Sequence, residues 1–314
     1  MKKYSIGIDL GGTRIKIGLV ADGAVQSEKI IPANADNNLR SNLGNLKKEI
    51  DLLLNEPGSK GASFSGIGLA FPGIVDPVNK KILSTNDKYD DAIGMDVEGW
   101  VKDSWDVPFF LDNDARMAAV GDWKYGAGRD TDNLVVMTIG TGIGTAAIIE
   151  GNLLRGRHFQ AGCLGGHFSI RYDGRLCNCG NIGCVEAYGS SWSLKERLAS
   201  IAQGPDDPQA MPEVHDFAGL FDAAKKKDPV ALRIRQDYLN AWAAGIINLI
   251  HAYDPEVVVL GAGVLNNQSE IIPFITEQVK RHAWCPCGDV QVRPSRLLSE
   301  AGILGVVHCL ENGL

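Results

Sequence analysis

Three cysteines, Cys177, Cys179 and Cys184, fall within eight residues of a 314-residue chain. Thiolates at that spacing suit a metal ion better than a disulfide framework. Gly180 and Gly183 let the loop close tightly, and His167, ten residues before Cys177, completes a Cys3His set. Four protein ligands leave zinc no open position for a catalytic water, so the expected role is structural. Cys285 and Cys287 lack a matching second pair and read as loop cysteines. Cys163 and Cys309 read as buried small hydrophobes.

A second chemistry is spread along the chain. Asp9 precedes Gly11-Gly12-Thr13, Gly140-Thr141-Gly142-Ile143-Gly144 forms another small-residue run, and Gly261 and Gly263 a third. A carboxylate beside such turns offers what a magnesium-bound nucleotide requires: an anchor for the hydrated metal and backbone N–H groups for phosphate oxygens. Neither a Walker loop nor a dinucleotide fingerprint occurs. Each cluster alone also fits a tight structural turn; three at strand ends favour a nucleotide site. Asp112-Asn113-Asp114 lies where a strand meets a helix. There Asp114 could take the proton of a hydroxyl attacking phosphorus while Asn113 holds neighbouring hydroxyls, or both could simply cap the helix.

The elements that would position these groups follow from periodicity. Tyr4, Ile6 and Ile8 alternate with small or polar residues, as do Ile15, Ile17 and Leu19, and residues 25–30 supply a third strand. A helix is expected over 39–54, strands over 66–70 and 107–111, and a helix over 115–125. Residues 76–99 read as loop with short pieces. Strands at 134–138 and 145–149 flank the second glycine turn, repeating the logic of residues 4–20 and hinting at two halves of one α/β plan. Residues 204–212 read as a surface loop. Asp228-Pro229 should start a long helix with Leu232, Tyr238, Trp242, Ile246 and Ile250 on its packed stripe. A strand at 257–260, a helix at 271–282, a strand at 290–292 and a helix at 298–310 complete the chain.

Lys plus Arg number 31 and Asp plus Glu 38, a formal net charge of −7, with 45% hydrophobic and 22% charged residues. That balance argues against wholesale disorder, fibrous repeats and a small disulfide scaffold. It offers no bulk attraction for nucleic acid or an anionic membrane, and neither is expected as a partner. No apolar run approaches the roughly 20 residues of a membrane span, and no signal-peptide core appears, so a cytoplasmic location is expected.

The runs Asp9-Leu10-Gly11-Gly12-Thr13, Leu111 to Ala115, Thr138 to Gly144 and Cys177-Asn178-Cys179-Gly180-Asn181-Ile182-Gly183-Cys184-Val185-Glu186 resemble motifs of the ROK family, which comprises bacterial repressors, sugar kinases and relatives. The likeness covers nearly the whole chain. It implies an α/β, two-lobed actin-like ATPase (ribonuclease H-like) fold with a cleft between lobes. The first lobe would span residues 1–114, completed by 298–314, and the second 115–297. It implies glucokinase-like phosphorylation of a hexose or related sugar by ATP, expected at the 6-hydroxyl, with Asp114 as general base. Gly73, Asn113, His167 and Glu186 would touch the sugar. Gly11, Gly12, Thr13, Thr141 and Gly142 would hold phosphates, Asp9 would position hydrated Mg2+, and Gly261, Gly263 and Val264 would lie near the nucleotide. His167, Cys177, Cys179 and Cys184 would carry structural Zn2+, and members are commonly homodimers or homotetramers. Repressor members carry an N-terminal winged helix-turn-helix; here the chain begins at the first phosphate strand, which favours the kinase branch.

One stretch departs from the family pattern. Where members read Gly-Glu-x-Gly-His, with the Glu on sugar hydroxyls, this chain reads Cys163-Leu164-Gly165-Gly166-His167. Losing that acceptor weakens or redirects hydroxyl recognition. Glucose, another hexose, an N-acetylhexosamine and another polyol stay open as substrates, with Asp173 a candidate to compensate. Leu164 also motivates a rival reading, a sugar-binding regulatory protein with little or no turnover.

Overall fold

The computed structural model describes residues 3–35, 38–56, 63–85, 88–202 and 214–313. In chain order they form β1 (Lys3–Leu10), β2 (Arg14–Ala21), β3 (Ala24–Pro32), α1 (Leu39–Leu54), β4 (Ser63–Phe71), β5 (Ile74–Asp76), β6 (Lys81–Ser84), α2 (Val97–Trp105), β7 (Phe109–Asn113) and α3 (Asp114–Tyr125). Then come β8 (Leu134–Ile139), β9 (Ile143–Ile149), β10 (Asn152–Leu153), α4 (Glu186–Gly189), α5 (Ser191–Ala202), α6 (Phe217–Lys225) and α7 (Pro229–Tyr253). The last are β11 (Val257–Gly261), α8 (Gln268–His282), β12 (Gln291–Pro294) and α9 (Ala301–Asn312).

Two five-stranded sheets have the orders β3-β2-β1-β4-β7 and β10-β9-β8-β11-β12. Counted within its own sheet, each runs third-second-first-fourth-fifth, so the two halves share one α/β plan. β1 pairs antiparallel with β2 and parallel with β4, which pairs parallel with β7. In the second sheet β11 is parallel to both β8 and β12, and β10 is antiparallel to β9. The parallel pairs place several strand C-termini at one edge of a sheet, where open α/β folds build their chemistry.

The chain divides into two compact units: Met1–Asp132 with Ala146–Cys163 and Arg296–Leu314, and Asn133–Thr145 with Leu164–Ser295. The sequence expectation ended the first unit at Asp114. The structure keeps α3 in it, because α3 packs backbone to backbone on α9. A Cβ on Gly121 would strike the Ala301 carbonyl, and one on Gly305 the Met117 carbonyl. On one face of the first sheet Ile6, Ile8, Leu10, Ile15 and Ile17 pack with Leu39, Leu46, Ile50 and Leu53 of α1 in a common core. On the other, Gly7 and Gly18 admit Ile303 of α9, whose γ-carbon would lie 2.9 and 2.7 Å from an added Cβ at the two positions.

In the second unit α7 starts as the sequence suggests, with the Asp228 side chain accepting from the Ala231 N–H at 2.8 Å and Pro229 in the first turn. Tyr238 and Trp242 are buried with Phe217 and Phe221 in an aromatic cluster, Ile246 and Ile250 are buried, and Leu232 is only half-buried. Residues 76–99 hold more order than expected: β6, a one-turn helix at Asp90–Ala92 and the start of α2, whose Asp96 side chain caps the Gly99 N–H. The last helix begins at Ala301 rather than Leu298, whose φ of +47° is outside helical space. The expected loop at 204–212 lies outside the described residues. Among the described residues no helix is long and apolar enough to cross a membrane.

Candidate active site and metal centre

In the first unit β7 runs directly into α3, and the junction separates two roles that the sequence left open. Asn113 caps the helix: its Oδ1 accepts the Arg116 N–H at 3.1 Å, and its Nδ2 donates to the Gly73 carbonyl and to Asp114 Oδ1, both at 3.0 Å. Asp114 is therefore not needed to finish the helix end. Its Oδ1 accepts the Ala115 N–H at 2.8 Å, and its Oδ2 takes no hydrogen bond from another described residue. Burial pushes the Asp114 carboxyl up to about 7, aided by the charge of Asp9, while the Ala115 N–H and Lys88 pull the other way. A carboxyl in that range can accept a proton near neutral pH.

Asp9 arrives on β1 and is paired with Lys16 of β2, Oδ2 to Nζ 3.0 Å. The N-terminal turn of α9 closes on it; a Cβ on Gly302 would lie 3.2 Å from Asp9 Oδ2. The Gly11-Gly12-Thr13 turn spends its Gly11 N–H on the Arg14 carbonyl at 3.0 Å. The Gly12 and Thr13 N–H groups donate to no described backbone carbonyl and are the free donors of the turn. The sequence reading missed Lys88 and Tyr89, which meet this turn from a distant segment: the Tyr89 hydroxyl donates to the Gly11 carbonyl at 2.9 Å.

Beneath Asp114 lies a buried charge network. Arg116 has no exposed surface, and its Nη1 donates to Asp112 Oδ1 at 3.3 Å. Its Nε reaches the Leu154 carbonyl at 3.1 Å, and its Nη2 the carbonyls of Phe159 and Ala161 at 2.8 and 3.0 Å. Arg155 grips the other oxygen of Asp112 at 2.9 Å. A buried guanidinium needs this many acceptors, since losing its partners costs several kcal/mol, about 3–5. The network explains why 146–163 belongs to the first unit.

In the second unit the Gly140–Ile143 turn is clamped from below by Glu186. Glu186 Oε2 accepts the Ile143 N–H at 2.7 Å and Oε1 accepts Trp192 Nε1 at 3.2 Å. A Cβ on Gly142 would lie 2.7 Å from Oε2, so a larger residue there would have to push the Glu186 carboxylate aside. The Ser191 N–H binds the Gly140 carbonyl at 3.0 Å. Gly261 ends β11, Gly263 opens a short helical turn through Asn267, and Val264 is buried. Between them Ala262 holds φ +71° and ψ −168°, a conformation that ordinarily belongs to glycine.

The Cys3His set converges. The ligand atoms of His167, Cys177, Cys179 and Cys184 all lie within 4.8 Å of one another. Cys179 Sγ is 3.7 Å from Cys184 Sγ, and Cys177 Sγ is 3.7 Å from His167 Nδ1. Zinc–sulfur bonds of about 2.3 Å in a tetrahedron put sulfurs roughly 3.7–3.8 Å apart, so the donor set fits zinc. Backbone bonds preform the loop: the Cys177 N–H to the Asn181 carbonyl, the Ile170 N–H to Gly183 and the Val185 N–H to Phe168, at 2.8, 2.8 and 2.9 Å. Burial raises the thiols of Cys177 and Cys184, which a bound cation would reverse. His167 shares a single short turn with Leu164, the His167 N–H donating to the Leu164 carbonyl at 2.9 Å. Asp173 is exposed and faces Arg171 at 4.0 Å. Cys285 and Cys287 lie in a loop, and Cys163 and Cys309 are buried.

Sheets of one repeated plan, with glycine turns after β1 and β8 and an acid where β7 meets its helix, define the fold of the actin-like ATPases. Within that class the chain belongs to the ROK family, whose sequence model matches residues 5–312. It is 30% identical over 312 residues to the glucokinase of Thermotoga maritima, covering 98% of this chain and 96% of that one. It is 27% identical over 309 residues to the xylose repressor of Bacillus spizizenii, covering 96% of this chain and 76% of the repressor. Among solved structures it is similar to a ROK family glucokinase from Streptomyces griseus in complex with glucose and AMPPNP. That match has TM-score 0.82 and 26% identity, and covers 99% of this chain and 100% of the other.

Proposed function

We propose that the chain is an ATP-dependent sugar kinase that phosphorylates a hexose or related sugar, at the 6-hydroxyl. The observation that carries this reading is Asp114, whose Oδ2 is unclaimed by the helix cap; burial pushes its carboxyl up to about 7. In the reaction the sugar oxygen forms a bond to the γ-phosphorus of ATP while the bond to the β,γ-bridging oxygen breaks and ADP leaves. The hydroxyl proton passes to Asp114. Asn113, fixed by the Gly73 carbonyl, orients a neighbouring hydroxyl, and Gly73 contributes the wall beside it. The free N–H groups of Gly12 and Thr13 and the Thr141-Gly142 turn bind phosphate oxygens, and Gly261, Gly263 and Val264 border the nucleotide. Asp9 would hold hydrated magnesium, which would neutralise phosphate charge.

His167, Cys177, Cys179 and Cys184 would hold zinc, which when bound crosslinks their loop and does no chemistry of its own. With zinc bound, His167 would be left its second ring nitrogen for a sugar hydroxyl. Glu186 has both oxygens engaged within the protein, yet each can accept a second hydrogen bond, so it serves the turn and a sugar hydroxyl together. Thiols left unbridged at all seven cysteines suit a reducing, cytoplasmic compartment.

Leu164 in place of an acid, together with the likeness to a xylose repressor, supports one alternative: a sugar-binding regulator of the same fold. The deciding experiment is ADP release with MgATP and a panel of glucose, fructose, mannose, allose and N-acetylhexosamines, for the wild type and Asp114→Asn. Sugar-dependent ADP release that falls about 10²–10⁴-fold in the variant supports the kinase. Undiminished turnover in Asp114→Asn removes the base role. Sugar binding without turnover across the panel supports the regulator.

A further inference from the structure

Lys88 is the one lysine whose ammonium lies on the Gly11-Gly12-Thr13 turn among the described residues, and nothing in the sequence pattern marked it. An added Cβ on Gly12 would lie 3.0 Å from Lys88 Nζ and 2.8 Å from its Cε, so the end of this side chain occupies the space that Gly12 leaves empty. The placement is built rather than incidental. The next residue, Tyr89, is fully buried and held in the left-handed region at φ +56°. Its N–H donates to the Ala35 carbonyl at 3.0 Å, its hydroxyl donates to the Gly11 carbonyl at 2.9 Å, and its ring packs on Phe71 at a centroid distance of 6.0 Å. An unfavourable backbone conformation held by three anchors fixes the chain at position 88.

The charges around Lys88 have a pattern. Lys16 is paired with Asp9, whereas no carboxylate lies within ion-pair distance of Lys88 among the described residues. Its field still reaches Asp114, where it opposes the effect of Asp9. A half-buried lysine aimed at free backbone N–H groups and near the acceptor's base, but not neutralised, is arranged for an anion that arrives later.

We propose that Lys88 binds the phosphoryl group being transferred, its ammonium meeting the γ-phosphate oxygens over the Gly12 turn. This rests on the kinase reading. The lysine keeps its proton throughout. The bond from γ-phosphorus to ADP breaks, the bond to the sugar oxygen forms, and the sugar proton goes to Asp114. Lys88 balances the negative charge on the equatorial oxygens and in the free protein helps keep Asp114 ionised.

The test uses the full-length protein as Lys88→Met and Lys88→Arg, with thermal melts to establish that each folds. MgATP binding is measured by calorimetry without sugar, and turnover over pH 5.5–9 with the best sugar of the panel. Lys88→Met is expected to bind MgATP about 10-fold more weakly and to lose about 10²-fold in kcat, with Lys88→Arg restoring part of each. The acid limb of kcat/KM should move to higher pH in Lys88→Met, because Asp114 loses a stabilising charge. A residue that merely packed the turn would leave that limb in place. Wild-type turnover with an unchanged Lys88→Met overturns the inference and leaves the kinase intact. If the wild type binds MgATP without turnover, the calorimetric comparison alone decides for or against Lys88. If the wild type binds no MgATP, the kinase reading fails and this inference with it.

Discussion

Each unit gathers ligating groups around one point, a guanidinium in the first and a candidate metal site in the second. In the first unit Arg116 draws in Asp112 and the carbonyls of Leu154, Phe159 and Ala161, and through them fastens residues 146–163 beneath Asp114. In the second, His167, Cys177, Cys179 and Cys184 converge on a point that suits a zinc ion. The guanidinium comes with the chain and cannot be lost. A metal held there would be exchangeable, and its ligands would have to be deprotonated to bind it. The first arrangement is permanent, while in the second a bound metal would add to the backbone bonds that already shape the loop.

The largest effect should come from breaking the exchangeable centre. Elemental analysis should find one zinc per chain in the wild type, and Cys184→Ser, or a strong chelator, should abolish it. Either change should also remove protection of residues 165–185 in hydrogen exchange, with residues 109–125 keeping theirs. Structural zinc sites supply on the order of 10 kcal/mol of binding free energy at neutral pH, enough to dominate the loop. Equal loss of protection in both regions would show that the two centres are not independent. Next comes Arg116→Met, which leaves Asp112 with Arg155 and the Asn113 N–H and leaves three carbonyls without their donor. Chemical denaturation should register a loss of about 3–5 kcal/mol with zinc content unchanged. A stable Arg116→Met would mean that apolar packing, not charge, holds the 146–163 segment.

The smallest effect is the pH dependence that distinguishes a working carboxylate from a structural one. Asp114 accepts a proton only when ionised, and its carboxyl is raised to about 7. Turnover should therefore be present above pH 7 and fall as pH drops through it. The fall should be about tenfold between pH 8 and pH 6, equivalent to about 1.4 kcal/mol. A flat kcat/KM profile across that window would separate Asp114 from the chemistry.

The two centres also differ in how readable they were. The metal ligands lie between residues 167 and 184, so their convergence is nearly a local property of one glycine-rich loop. Asp9, Asn113 and Asp114 were legible as polar residues at strand ends, and the repeated sheet plan was legible in the recurrence of strand, glycine turn and strand. Lys88 and Tyr89 were not. Their segment lacks periodicity, and their importance lies in contacts to a turn 78 residues away. Arg116 read as an ordinary helix residue, because its acceptors are loop carbonyls that no pattern announces. The assignment of α3 to the first unit was hidden for a related reason: it depends on Gly121 and Gly305 meeting across two helices far apart in sequence. The double engagement of Glu186 needed the fold, since Ile143 lies 43 residues away.

The backbone contact between α3 and α9 has a consequence for synthesis. Asp9 is translated long before the helix that shuts against it through Gly302. The first unit cannot finish until residues 301–312 have been made. Until residues 301–312 appear, the sheet face at Gly7 and Gly18 has no cover, and the nascent chain carries an open apolar surface that invites chaperone attention. The second unit, contiguous but for one hairpin arm, can mature earlier, so the carboxylate pair is among the last features to take shape.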